Sequence, residues 1–430
     1  MRTRYALVGV GGRGLGMFAR PLVRELEDVA ELVALCDRNS ARMATARRML
    51  GIDLPSYTEL APMLAEVRPD VVIVCTVDGT HHAVIIEALR AGCDVITEKP
   101  MTTTAENARA ILEAEQETGR TVRVSFNARY GAPTEALYTL LRDGAIGEVL
   151  GADYVEFLNT SHGADYFRRW HRRKENSGGL LVHKASHHFD QLNWWLSAVA
   201  PDAVAQTVYA QGGLRFYGPQ GADRFALQDH GERCLTCPRA ADCPFFLDLR
   251  ANDALRALYL ETEHDDGYYR DRCVFSGEID IEDTASAVIT YSNGVVVSYS
   301  LDAYLPYEGQ RIGFNGTRGR LEVDLVSDYH RPNEQGILEV FPGGQAVTIR
   351  VNPRFGDPYE VPVTVPEGGH GGADARIRDH LFRPDTPDPL RQRADALAGA
   401  RSVLIGAAAN RSIATGLPVR IEGIGIEAMA

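Results

Sequence analysis

Over its first 126 residues the chain alternates short apolar runs with stretches whose apolar residues recur every three to four positions. Residues 5–10, 31–36, 71–76, 94–97 and 121–126 read as strands, and 15–26, 58–66, 82–91 and 105–118 as helices. Strands alternating with helices predict an α/β region with a parallel, doubly wound sheet, which binds ligands at the carboxyl ends of its strands. The pattern then changes. After a helix at 134–143 and an alternating strand at 149–158, strands are expected at 279–283, 286–291, 295–302, 311–314, 320–325, 337–341 and 346–351. Asn293-Gly294 is a hairpin signal. These strands predict a C-terminal α+β domain built on a large open, mostly antiparallel sheet, closed by an alanine-rich helix at 392–409. Two domains follow, at 1–127 and 128–430, with an insertion at about 212–277 where the strand pattern breaks.

Size and charge narrow the function. With 430 residues and 45% hydrophobic content the chain can bury full cores, and a net charge of -13 argues against nucleic acid or anionic membrane as a partner. No apolar run is long enough for a membrane span, and the first strand begins too early for a signal peptide, so a cytoplasmic protein with a small-molecule partner is expected. Its open sheet calls for a cover that a homodimer or homotetramer provides.

The first strand ends in Gly9-Val10-Gly11-Gly12-Arg13-Gly14 and runs into a helix. Glycines in this G-x-G-x-x-G arrangement allow a tight turn and bring backbone N–H groups up to a pyrophosphate. Asp37 closes the second strand 23 residues after Gly14, where a carboxylate accepts hydrogen bonds from a ribose diol. That favours NAD over NADP, although Arg38 could contact a 2'-phosphate, and Asp37 could instead serve as a turn or cap residue.

The stretch 177–196 packs three histidines, a lysine and an aspartate into eight residues after a Gly-Gly turn. Read as one helix, it places Ala185, Phe189, Leu192 and Leu196 on one face and His183, His187 and Asp190 on the other. Imidazoles beside a carboxylate suit proton transfer. A solvated polar face and a metal pair at i, i+4 are the competing readings.

Glu98-Lys99-Pro100 after a buried strand, Thr76-Val77-Asp78-Gly79-Thr80-His81 before it, the Ala91-Gly92 turn and the Gly-Gly helix at Gly178 together resemble the Gfo/Idh/MocA family of glucose–fructose oxidoreductases and inositol dehydrogenases. The resemblance implies a Rossmann domain plus a substrate domain and an NAD(P)-dependent oxidoreductase acting on a polyol, sugar or sugar derivative. It implies that Lys99 and His187 surround the carbinol, with Asp190 one turn on. His183 stands where most members carry aspartate, and Lys184 and His188 add basic groups. Lys99 needs a lowered pKa to act as base, which a nearby Lys184 would encourage.

The strand ends then give the cofactor-binding candidates Gly9, Gly11, Gly12, Arg13, Gly14, Asp37, Arg38, Thr76, Asp78, His81, Glu98, Lys99 and Asn127. Substrate candidates are Arg129, His188, His370 and part of the basic, aromatic run 162–174, namely Tyr166, Arg169, Trp170 and His171. Aromatic faces interleaved with cations suit sugars with anionic substituents; a solvated loop or an oligomer contact is the alternative. Within the insertion, Cys234, Cys237, Cys243 and Cys273 could close a structural zinc site, hold an iron–sulfur cluster or stay reduced and unliganded. The leading function is a sugar, glycoside, sugar-acid or cyclitol dehydrogenase. The alternative is an NAD-dependent glycoside hydrolase working by transient oxidation, elimination and re-reduction. A dinucleotide-binding regulator without chemistry fits poorly with Lys99 and the histidine cluster.

Overall fold

The computed structural model describes residues 2–327, 329–332, 338–341 and 346–421. Six strands, Thr3–Val8 (β1), Ala30–Cys36 (β2), Ser56–Tyr57 (β3), Val71–Val74 (β4), Asp94–Thr97 (β5) and Val122–Val124 (β6), form a parallel sheet. Helices cover both of its faces, so the central strands are apolar throughout: Ala6, Leu7, Val72, Ile73 and Val74 are fully buried. The helix Ser40–Leu50 escapes the apolar periodicity because arginine, serine and threonine interrupt its face. Asn39 starts it by accepting the Arg42 N–H, and Gly51 ends it in the left-handed conformation.

The second sheet has nine strands. Its centre is Val149–Asn159 (β7), and Ala205–Gly213 (β8), Thr284–Tyr291 (β9), Val296–Leu305 (β10), Glu308–Gly316 (β11) and Gly319–Ser327 (β12) flank it. A separate hairpin of Tyr329–Pro332 (β13) and Leu338–Phe341 (β14) follows; Ile337 of the strand expected there lies outside the described residues. Ala346–Pro353 (β15) and Tyr359–Val361 (β16) form one edge. All pairings are antiparallel except β7 with β10. The strand expected at 279–283 is absent because the Asp283 carboxylate accepts the N–H groups of Arg215, Phe216 and Tyr217 at 2.6–2.9 Å, which holds this segment as buried coil.

Two short late strands return to the sheets: Ala394–Asp395 (β17) pairs with β6, and Val419–Arg420 (β18) with β8. The last helix, expected from residue 392, therefore begins at Ala396, capped by Asp395, and runs to Thr415. It lies against the Gly-Gly segment so closely that a Cβ on Gly406 would sit 2.3 Å from the Leu181 carbonyl oxygen.

The run 162–174 is not a loop. Asn159 caps a helix over Thr160–Arg168, and the cations that follow point into protein. Arg168 donates to the Phe245 carbonyl, Arg169 lies 3.2 Å from Asp165, Arg172 lies 3.4 Å from Glu278, and Lys174 pairs with Glu282. These pairs tie the insertion and neighbouring loops together, while Arg169 also lines a cleft with Tyr166, Trp170 and His171. The single helix expected after Gly179 is also interrupted, with one turn over Leu180–His183 and a restart at Ser186–Ser197.

The insertion packs around an aromatic cluster in which Phe245 meets Phe225 and Phe275 edge to face, with centroids 5.1 and 5.3 Å apart. Cys234, Cys237, Cys243 and Cys273 line one small cavity beside these rings. All four are free thiols, and among the described residues no group of three or more His, Cys, Asp or Glu is placed to hold a metal ion. The zinc or iron–sulfur centre is thus unsupported. Burial raises the Cys234 and Cys243 thiols and pushes Cys273 up to about 11. Among the described residues no helix is long and apolar enough to cross a membrane.

Candidate active site

The carboxyl ends of β1, β2, β4 and β5 border a cleft of about 650 Å³. Gly9 has φ +94°, and a Cβ there would lie 2.4 Å from the Cys75 carbonyl oxygen. A Cβ on Gly14 would meet the Gly9 carbonyl at the same distance, so both glycines are required by the turn. Above Gly11 and Gly12 the nearest atom to an added Cβ is the Tyr259 hydroxyl at 3.4 and 3.3 Å, and Gly12 N–H donates to it at 2.8 Å. The open surface over the loop and the helix that starts at Gly14 fit a pyrophosphate. Asp37 accepts the Val10 N–H at 2.7 Å and the Asn39 N–H at 2.9 Å, one on each oxygen, and keeps acceptor capacity for ribose hydroxyls.

Several cofactor candidates brace the cleft from within. Arg13 turns to Glu98 at 2.6 Å and lies 3.6 Å from Asp374, whose carboxylate also accepts from Asn127 at 2.8 Å. The buried His81 ring sits between the carbonyls of Pro100 at 2.9 Å and Thr76 at 3.2 Å, tying the Glu-Lys-Pro turn to the preceding loop. Thr76 accepts from the Thr80 hydroxyl at 2.9 Å. Arg38 is largely exposed, 3.7 Å from Asp266.

Lys99 lies deep in the cleft, its Nζ donating to the His183 carbonyl at 3.2 Å. Burial lowers its pKa from 10.5 to about 8 against the pull of Asp78 and Glu98, and the Lys184 cation adds to the lowering. His183 Nδ1 stands 2.5 Å from Asp78 Oδ2. Burial raises the Asp78 pKa and lowers that of His183, so the contact holds a single proton between them. The His183 ring is walled by His171, whose centroid is 4.2 Å away and which stacks on Trp170 at 3.6 Å, and by Tyr166 at 5.3 Å. The Tyr166 hydroxyl meets His162 Nε2 at 2.9 Å, and His162 Nδ1 meets Glu308 at 2.7 Å.

His187 lines both this cleft and a second one of about 680 Å³ that runs along the large sheet past Gln310, Ile312, Val323 and Leu325. Burial, with the cations of Lys99 and Lys184, keeps His187 neutral, and its Nδ1 has no hydrogen-bond partner among the described residues. Lys184 also borders both clefts, but Glu156 holds it at 3.1 Å. Burial alone would raise the Glu156 carboxyl, yet His188 and Lys184 hold it at about 2, while Glu156 lifts Lys184 above its ordinary value. Lys184 therefore stays charged. His188 lies 3.4 Å from Glu156, meets the Tyr299 hydroxyl at 2.8 Å and stacks on Tyr154, which leaves it a supporting role.

Asp190 and Arg129 do not face the clefts. They bind each other through two bonds of 2.6 and 2.7 Å, with 1% and 5% exposure, and pin the helix Ser186–Ser197 to the turn after β6. His370 sits exposed on the rim, held by Asp374 at 2.9 Å, and Arg169 is committed to Asp165. The sequence reading missed Glu156 and Glu308, and Tyr259, Asp266 and Tyr268 from the insertion, and had His162 only as a member of the basic, aromatic run. Glu156 alone carried a signal, a carboxylate at an inward position of β7 between Tyr154 and Leu158.

Residues 3–126 match the family model described as "Oxidoreductase family, NAD-binding Rossmann fold", and residues 139–421 match "Oxidoreductase family, C-terminal alpha/beta domain". The chain is 36% identical over 428 residues to "Putative oxidoreductase YteT" of Bacillus subtilis, covering 96% of each chain. It is 27% identical over 217 residues to an inositol 2-dehydrogenase of Rubrobacter xylanophilus, covering 49% of this chain and 56% of that one. In fold it is similar to the WlbA dehydrogenase of Bordetella pertussis, solved with NADH and UDP-GlcNAcA, with a TM-score of 0.63 at 20% identity, covering 98% of this chain and 99% of that one.

Proposed function

The chain belongs to the Gfo/Idh/MocA oxidoreductase family, and from that premise we propose that it is an NAD-dependent dehydrogenase of a sugar, glycoside or cyclitol carbinol, with NADP the lesser cofactor. Gly9, Gly11, Gly12 and Gly14 would hold the pyrophosphate and Asp37 the ribose diol. The observation that carries the reading is Lys99, brought to about 8 by burial and placed in the same cleft as the neutral His187. A nicotinamide bound there would supply the acceptor for the hydride of the carbinol carbon. Neutral Lys99 accepts the hydroxyl proton as the C–O bond becomes a carbonyl, and His187 hydrogen-bonds the same oxygen. The Lys184 cation, fixed on Glu156, keeps the Lys99 ammonium acidic.

Tyr209, Val288 and Val296 project from the outer side of the large sheet with 39%, 44% and 44% exposure, which supports a homodimer or homotetramer and is checked by light scattering. The catalytic reading is tested by incubating the protein with NAD and a panel of sugars, cyclitols and aryl glycosides while following nicotinamide absorbance and aglycone release together. Net NADH formation is expected. Aglycone release without accumulated NADH would replace the dehydrogenase by redox-assisted glycoside cleavage.

A further inference from the structure

Two arginines stand beside the carboxylate expected to take the ribose diol. Either could, in principle, grip a 2'-phosphate. One carboxylate from the insertion, Asp266, whose side chain is 5% exposed, binds Arg42 and faces Arg38, which is 71% exposed. Its Oδ2 lies 3.2 Å from Arg42 NH2 and 3.7 Å from Arg38 Nε, and its Oδ1 accepts the Tyr268 N–H at 3.2 Å. Arg42 has little freedom left, since its Nε donates to the Leu258 carbonyl at 3.1 Å and its NH1 lies 3.5 Å from Asp37.

The segment bearing Asp266 is anchored to the dinucleotide-binding domain at several points. Asp265 accepts from the Ser40 hydroxyl at 3.0 Å and the Ala41 N–H at 3.1 Å, and Asn39 donates to the Thr262 carbonyl at 2.9 Å. Asp37, Arg38, Arg42 and Asp266 all line the cofactor cleft. We infer that Asp266, a residue of the insertion, sets this protein's preference for NAD(H) over NADP(H). The inference rests on the dinucleotide-dependent reading above.

The physical case is one of charge and of donors already committed. A 2'-phosphate brings close to two negative charges and needs a free guanidinium fork. Here it would meet two carboxylates, Asp37 and Asp266, an Arg42 whose donors face both of them, and an Arg38 whose Nε side is turned toward Asp266. A neutral diol offers its two O–H donors to Asp37 and asks nothing of Asp266.

Titrating the purified full chain with NADH and with NADPH, followed by nicotinamide fluorescence, measures both dissociation constants without turnover. The wild type is expected to bind NADH at least ~30-fold more tightly, since juxtaposed like charges cost several kcal/mol. In Asp266→Asn the amide oxygen can still accept the Tyr268 N–H but the charge is gone. NADPH affinity should rise at least ~10-fold and NADH affinity change less than ~3-fold, the tenfold gain equalling about 1.4 kcal/mol. Adding Arg38→Ala to that variant should cancel the gain, because the released arginine is what would take the phosphate. Asp266→Ser, a smaller neutral acceptor, gives an independent reading if the asparagine variant folds poorly. An unchanged NADH/NADPH ratio in both variants, or a wild type that prefers NADPH, overturns the role of Asp266 alone. A wild type that binds neither dinucleotide overturns both this inference and the reading beneath it.

Discussion

Replacing Lys99 by arginine keeps a cation at the end of the Glu-Lys-Pro turn and removes a proton that can be given up near neutral pH, because guanidinium stays charged. Burial brings Lys99 to about 8. At pH 7 roughly a tenth of the molecules then carry the free amine, against roughly three in ten thousand for an unshifted lysine. The fold thus raises the concentration of the base by about 300-fold at that pH. A positioned general base contributes about 10²–10⁴ in rate, or about 3–5 kcal/mol. Lys99→Arg should therefore lose about that factor in kcat/KM for carbinol oxidation, and so should Lys99→Met. The wild-type profile should rise with pH and level off above about 8, since the deprotonated amine is the active form, and this limb should vanish in both variants. Each variant should keep its NADH dissociation constant within about threefold, as neither change touches the glycine loop. An arginine variant that keeps more than about a third of the wild-type kcat/KM, with the limb near 8 intact, would show that Lys99 acts only as a cation and that the base lies elsewhere.

Removing the cation of Lys184 by Lys184→Met should raise the Lys99 pKa, because Lys184 adds to the lowering that burial begins; the limb of the oxidation profile moves to higher pH and activity at neutral pH falls. Asp190→Ala leaves the Arg129 guanidinium buried without its carboxylate and should cost about 3–5 kcal/mol in urea unfolding, while NADH titration of the folded protein is unchanged. Gly9→Ala forces a Cβ to 2.4 Å from the Cys75 carbonyl at φ +94°. It should destabilise the fold by about 1–3 kcal/mol or more and abolish NADH binding, read by thermal melts and fluorescence.

How far the sequence reached depended on the distance along the chain between a residue and its partners. The alternation of strand and helix, the glycine turn, Asp37 at the end of β2 and Lys99 after β5 were all legible, because each is fixed by periodicity or by position at a strand end. His187 was read as a cleft residue from the resemblance of the Gly-Gly helix to the family's. The break between His183 and Ser186 was not legible, since local propensity there favours an unbroken helix and the close packing of Gly406 on Leu181 comes from a segment over 200 residues away.

Side chains whose role is set by a distant partner were misread. Asp190 shares a helix with His187, yet its charge belongs to Arg129, 61 residues earlier. In the run 162–174, Arg172 and Lys174 are met by Glu278 and Glu282, whereas Arg169, paired with Asp165, still lines the cleft. Tyr259 and Asp266 carry no local signal, but docking of the insertion sets one on Gly12, 247 residues away, and the other beside Arg38 and Arg42. The sequence by itself determined the fold class and the glycine turn after β1, because hydrogen-bonding periodicity and strand-end geometry act over a few residues; the part read for Lys99 rested on the resemblance of its Glu-Lys-Pro motif to the family. Only the tertiary structure decided which charges are free for chemistry and which are neutralised, because a buried charge is stable only against a partner that folding brings from elsewhere in the chain.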